Sequence, residues 1–280
     1  MSTNSKSQDP EAMTDDKKQL LKEFKGIEQM LATHEQNKQY YKIGALTLFT
    51  TAIIGAYMIF QSKPPFAPEE WNTLTSFPRE LSEIRIMIAI MTDYSQNYPN
   101  WVFIAWTYMY IFLQTFAIPG GIVLSLMAGP LFGFQSGFIY VAICASFGSL
   151  MCYTLSATIL KGFIINWKPS LVFKICKKVK EQNRNLFFFM LFLRTTPLVP
   201  NWFVNLSAPI AGLPAKYFFF GTFFGLMPLN FIHISTGLAI NEVSSVGLSL
   251  PKVLLLLCLS FAALLPTLLT KGKKLEDEEE

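Results

Sequence analysis

The sequence predicts an all-α polytopic membrane protein, an inverted repeat with two re-entrant hairpins and about four full transmembrane helices. Three observations lead there. Apolar residues make up 51% of the 280 and charged residues only 15%, a balance too hydrophobic for a soluble domain. Uncharged runs occur at 43–60, 101–160, 217–241 and 253–270, against the roughly 20 residues that cross a bilayer as a helix. Clustered helix breakers interrupt two of the apolar regions: Pro119-Gly120-Gly121 in one, and Pro197, Pro200 and Pro209 in the other.

Residues 1–42 are polar and charged and form an N-terminal tail. From Lys17 onward, Leu20, Phe24, Ile27 and Leu31 share one face of an amphipathic helix. Residues 43–60 follow as an uncleaved signal anchor, and Lys38 and Lys42 beside it place the N-terminus in the cytosol. The 61–100 loop carries three basic and five acidic residues and is assigned to the lumen, with an interfacial helix over 81–92.

The core spans 101–240. Its first hairpin lies near 101–133, where Pro119, Gly120 and Gly121 turn the chain and Gly129-Pro130 ends a short return helix. A span follows over 137–160, and Gly133 and Gly137 have the small-xxx-small spacing of a close helix contact. The segment 161–184 holds seven basic residues and one acid, which assigns it to the cytosol. Within it Leu171, Val172, Ile175, Cys176 and Val179 share a helical face opposite Lys174, Lys177, Lys178 and Lys180, the pattern of a basic interfacial helix or of a plain connector. The second hairpin lies near 186–214, shaped by Pro197, Pro200 and Pro209. A span over 217–240 then carries Gly221 and Gly225 at packing spacing.

The last span is 253–270. Lys271, Lys273 and Lys274 place the acidic 271–280 tail in the cytosol. Topological parity supports this layout: with both broken segments re-entering, every basic loop falls on one side of the membrane. One hairpin then opens to the lumen and the other to the cytosol, as in an inverted-topology repeat.

Arg194 is the leading functional candidate, because it and the prolines around it stand between two apolar segments. Arginine near the bilayer centre adds roughly 2.5 to 3.5 kcal/mol on insertion scales, and such residues face a cavity or a polar partner. Three roles stay open for it: a bidentate contact to a lipid phosphate, hydrogen bonds to hairpin carbonyls, or snorkelling to the interface. Gln114, Thr195, Thr196, Asn201 and Asn205 are the neighbouring polar groups of the hairpins, and Asn201 is suited to capping a half-helix.

The stretches QTFAIPGG (114–121), FLRTTPLVPNWFVN (192–205) and GTFFGLMP (221–228) make the chain similar to the DedA superfamily, also called VTT-domain or SNARE-associated membrane proteins. Within it the chain most resembles the eukaryotic stasimon-like branch. The resemblance covers about half of the chain and implies an energy-independent phospholipid scramblase of the endoplasmic reticulum. It also implies a role in autophagosome formation and in lipid and lipoprotein homeostasis. Membrane phospholipids are then the partners, with cholesterol and membrane proteins of the autophagy machinery as further candidates, and no nucleic-acid partner is expected. Bacterial relatives carry acidic residues near the first hairpin, associated with proton coupling, whereas Gln114 stands there in this chain.

Other functions stay open at this stage. The inverted repeat suits a secondary transporter of a small anion or lipid-linked phosphate, and the tails suit a scaffold without transport. Enzyme chemistry has little to work with: the chain has two histidines and no carboxylate within the apolar core segments. No catalytic group, metal or cofactor is expected. The cysteines, Cys144, Cys152, Cys176 and Cys258, suggest no disulfide framework.

Overall fold

The computed structural model describes residues 15–167, 170, 173, 176–177, 179, 185–240 and 250–276. All regular structure among the described residues is helical. Helix α1 (Asp15–Gln61) runs unbroken for 47 residues, so the amphipathic segment and the first span, separate in the sequence reading, are one rod. The isolated glycines Gly26 and Gly44 do not break it. Thr47, Thr50 and Thr51 turn their hydroxyls back onto the carbonyls of Ile43, Leu46 and Thr47, which hides their polarity within the helix. Ile43, Leu46, Ile53, Tyr57 and Met58 are exposed around it, as a lipid-facing span requires.

Helix α2 (Pro68–Thr75) and helix α3 (Leu81–Asn97) follow. Proline opens α2, and the Glu70 carboxylate accepts the Ala67 backbone N–H at 3.0 Å. The sequence places an interfacial helix at 81–92. Helix α3 is longer, and Ile84, Met87, Ile88 and Met91 bury one of its faces. Arg85 on α3 donates through Nε to the Ile240 carbonyl at 2.9 Å, tying this segment to the end of the core.

Helices α4 (Pro99–Thr115) and α5 (Gly121–Phe132) form the first hairpin. Trp106 Nε1 donates to the Leu124 carbonyl at 3.0 Å, and the Tyr110 and Ser125 hydroxyls meet at 3.0 Å. Gly120 has φ +137°, a conformation only glycine adopts without strain, which lets the chain double back. Helix α6 (Phe134–Leu155) continues through a π-helical turn at Ser156–Leu160 into α7 (Lys161–Trp167). The second hairpin is α8 (Leu186–Thr195) with α9 (Asn201–Ile210), followed by α10 (Ala215–Gly225), α11 (Met227–Leu238) and α12 (Leu250–Glu276). The span expected at 217–240 is therefore two helices meeting at Leu226. Pro228 near the start of α11 has no N–H to continue the ladder.

Among the described residues, three helical stretches are long and apolar enough to cross a membrane: Gln39–Gln61, Phe134–Ile164 and Ala215–Leu238. Gly121–Phe132, Leu186–Thr195 and Val253–Ala263 are shorter apolar helices. Of the expected fourth span, the apolar part recognised among the described residues is thus the Val253–Ala263 stretch. Leu171, Val172 and Ile175, with Lys174, Lys178 and Lys180, lie outside the described residues, as does the end of the acidic tail.

The two hairpins repeat one unit, with their breaks spaced 80 residues apart. Helix α4 ends at Thr115 and α8 at Thr195, while α5 begins at Gly121 and α9 at Asn201. The first limb of each hairpin packs on the span of its own half, α4 on α6 and α8 on α10. The second limb of each docks on the other half, α5 on α11 and α9 on the π-helical turn. This exchange is what a two-fold axis between inverted repeats produces.

Two apolar cores follow from the repeat. Trp106, Tyr110, Leu126, Val141 and Ile234 lie in one, and Leu186, Met190, Val204 and Phe218 in the other. Missing side chains at glycine make the close approaches. A Cβ on Gly137 would lie 2.6 Å from the Ala128 carbonyl oxygen, one on Gly221 would strike Met190, and one on Gly237 the Leu126 carbonyl. Gly133 differs from its sequence partner Gly137: nothing lies within 4 Å of its Cβ position, and at φ +77° it serves the turn into α6.

Candidate functional site

Arg194 occupies the last turn of α8, and the helix stops there for a local reason. The residue before a proline is driven out of the helical region, and Thr196, preceding Pro197, has ψ 128°. Pro200, extended at φ −60° and ψ 134°, then sets the entry to α9. Asn201 is the first residue of α9, one past the cap position, which Pro200 occupies with no side-chain cap bond. Four residues on, Asn205 shares its face, so both amides are presented to the end of α8.

The guanidinium fills that gap. Arg194 Nη2 donates to Asn205 Oδ1 at 2.5 Å, and Nη1 donates to the Asn201 carbonyl at 3.3 Å and to its Oδ1 at 3.4 Å. The Phe218 ring lies beneath, 4.9 Å from the guanidinium carbon. Arg194 is 1% exposed, so its side chain does not snorkel. Room for it comes from Gly225, where a Cβ would sit 2.6 Å from Arg194 Cβ. Thr195 closes the corner, its hydroxyl donating to the Leu191 carbonyl at 2.9 Å and the Gly225 carbonyl at 3.2 Å.

The site is a cation held by neutral dipoles. Each of these acceptors is an amide oxygen, so the positive charge is solvated without being neutralised. Donors also remain unmatched: Arg194 Nε and Asn205 Nδ2 are buried with no hydrogen-bond partner. A buried N–H left unpaired costs about 1 to 3 kcal/mol, and both groups would be satisfied by an anionic oxygen. Thr196 is buried beside them, its hydroxyl accepting the Leu198 N–H at 3.4 Å.

Of the polar residues singled out in the sequence, Arg194, Thr195, Asn201 and Asn205 meet around this corner. Gln114 does not join it. It occupies the equivalent place in the first hairpin, half-buried, with Gly148 of α6 making room for it as Gly225 does for Arg194. One turn on from Gly148, along the same face of α6, Cys152 lies within electrostatic reach of Arg194. Pro119, Gly120 and Gly121 line the first break, and Pro197 and Pro200 the second; Pro209 is buried inside α9.

Several participants were not evident from sequence. Phe218, one of the phenylalanines in the 217–240 span, is fully buried beneath the guanidinium. Ser156 reads as part of a span, and its hydroxyl donates to the Leu206 carbonyl at 2.6 Å, fastening α9 to the π-helical turn. Such turns inside α-helices are frequent at functional sites. No local signal marks Gly148: it lies 77 residues before Gly225, outside the 80-residue register that pairs Gln114 with Arg194.

Comparison with known proteins agrees with this architecture. The VTT domain model matches residues 118–239. Transmembrane protein 41B of Gallus gallus is 30% identical over 231 residues, covering 82% of this chain and 86% of that protein. The Homo sapiens protein of the same name is 28% identical over 251 residues, 86% of each chain. The transmembrane protein 41 homolog of Caenorhabditis elegans is 31% identical over 231 residues, 82% of this chain and 94% of its own. No solved structure matches the chain significantly. With its paired broken hairpins, the VTT match and relatives aligned over most of both sequences, the chain belongs to the VTT-domain family of transmembrane protein 41-type membrane proteins.

Proposed function

We propose that the protein moves glycerophospholipids between the two leaflets of the endoplasmic reticulum membrane without an energy source. The lipid headgroup passes along the seam between the hairpins while the acyl tails stay in the bilayer. One observation carries this reading: Arg194 is a buried, unneutralised cation with two unmatched donors beside it, Arg194 Nε and Asn205 Nδ2. A phosphate oxygen is the group these donors fit. Because the other ligands are neutral amides, the phosphate is held weakly enough to leave again. The family resemblance supports a role in supplying lipid for autophagosome growth and for lipid and lipoprotein homeostasis. The charge pattern of the loops supports cytosolic termini.

Carriage of a small anion or lipid-linked phosphate is the second reading, and the two broken hairpins suit it equally. A dithionite assay on proteoliposomes containing fluorescent phospholipid, with no ion gradient, separates the two. Wild-type protein is expected to expose nearly all of the label, and Arg194→Met to slow the exposure while remaining folded. Protection of the inner leaflet by well-folded wild type would overturn scrambling and leave gradient-driven carriage to be measured.

A further inference from the structure

An apolar cavity of about 470 Å³ lies apart from the Arg194 corner, between α1, the 62–80 segment, α3 and the first hairpin. Its walls include Ile59 and Phe60 of α1, Trp71 of α2, and Met109 and Leu113 of α4. The α4 face that lines it runs from Trp101 to Leu113, about 18 Å at 1.5 Å per residue. One end lies beside Trp71 and Trp101, aromatic residues of the kind that mark a membrane interface. The other end reaches Pro119 and Gly120 in the break of the first hairpin. The cavity is thus long, apolar and half-open on its side.

We propose that this cavity seats one acyl tail of a resident phospholipid, with its phosphate at Lys63. The Lys63 ammonium lies 4.4 Å from the Trp71 ring centroid and 4.8 Å from that of Phe60, two walls of the cavity. These cation-π contacts hold the charge at the mouth. Met87, Met91, Met109 and Met127 supply flexible thioether walls, which adapt to a chain with no fixed shape. A sterol would fill similar volume but offers Lys63 no anion. Such a lipid would stiffen the contact between α1 and the first hairpin, where at present Gly55 admits the Tyr108 ring and the Tyr108 hydroxyl donates to the Ala52 carbonyl. The site stands whether or not the lipid held there is ever moved between leaflets.

The test is photolabelling of the full chain in nanodiscs with phosphatidylcholine carrying a diazirine at the end of one acyl chain, followed by peptide mass spectrometry. Expected adducts concentrate at the deep end of the cavity, on the Leu113 to Gly120 peptide. Ala105→Trp, which fills the cavity, lowers that labelling about tenfold, equivalent to roughly 1.4 kcal/mol of affinity, and leaves labelling at lipid-facing Ile139 unchanged. Leu113→Trp replaces it should Ala105→Trp not fold. Lys63→Glu reduces phospholipid labelling without affecting a diazirine sterol. Labelling of the deep end no stronger than that of Ile139, or insensitive to both filling variants, overturns the proposal. So does labelling of the cavity by the sterol probe in place of the phospholipid.

Discussion

Gln114 and Arg194 hold the same position in two copies of one unit. Gln114 lies one residue before the end of α4 and Arg194 one residue before the end of α8. A Cβ on Gly148 would lie 2.5 Å from Gln114 Cβ and 3.2 Å from the Ile111 carbonyl, and one on Gly225 lies 2.6 Å from Arg194 Cβ and 3.3 Å from the Leu191 carbonyl. The following threonines behave alike, Thr115 donating to Ile111 and Thr195 to Leu191. The scaffold is two-fold while its charge is not: one corner holds a cation and the other a neutral amide.

That asymmetry makes the charge separable from the fold. Arg194→Met keeps the volume of the side chain and removes an unneutralised buried charge. Replacing buried ionic groups by apolar ones is often neutral or stabilising. Thermal unfolding of Arg194→Met in detergent is expected within a few degrees of wild type, with lipid movement reduced about tenfold or more. A large fall in melting temperature with unchanged movement per folded molecule would make Arg194 a structural residue.

Asn205→Asp places a carboxylate where Arg194 Nη2 finds an amide oxygen. The carboxylate compensates a buried cation that otherwise has only neutral partners, and an uncompensated buried charge is what makes a broken pair cost about 3 to 5 kcal/mol, so stability should rise. It should also slow phospholipid movement, since the cation is then matched within the protein. Melting temperature and dithionite rate are expected to move in opposite directions, and a rate equal to wild type would argue against a phosphate contact at Arg194.

Arginine cannot simply be transplanted to the first hairpin. The places of Asn201 and Asn205 are held there by Gly121 and Ser125, which offer fewer side-chain acceptors. Gln114→Arg is therefore expected to destabilise the protein by about 2 to 4 kcal/mol. Adding Gly121→Asn and Ser125→Asn should return part of that loss. Thermal melts of the single and triple variants give the interaction directly, and strict additivity would show that the two corners are not equivalent.

Glycines of different roles should respond differently to alanine. Gly237→Ala drives a methyl into the Leu126 backbone carbonyl, and overpacking of this kind costs about 1 to 3 kcal/mol. Nothing stands within 4 Å of a Cβ on Gly121, so Gly121→Ala is expected to leave the melting temperature near wild type. Comparable loss in both would remove the distinction between packing and permissive glycine.

Much of this was legible from the chain alone. The apolar runs announce a membrane protein, and the prolines and glycines at 119–121 and 197–200 mark both breaks, because missing N–H groups and positive φ are local properties of single residues. Helices α4–α5 (99–132) and α8–α9 (186–210) lie on either side of these breaks. The continuous α1 and the break at Leu226 were less legible: polarity changes along a rod without ending it, and one proline can interrupt a run that hydropathy reads as whole.

What the sequence by itself determined is the membrane solvent, the helical content and the breaks at 119–121 and 197–200. Which groups face one another was decided only by tertiary structure. The sequence leaves the partners of Arg194 open, and packing supplies Asn201 and Asn205, with Phe218 below and Gly225 making room. The physical reason is that a buried charge takes its partners from helices brought together by their apolar faces, at separations no local pattern encodes. The exchange of α5 and α9 between halves arises from the same long-range packing.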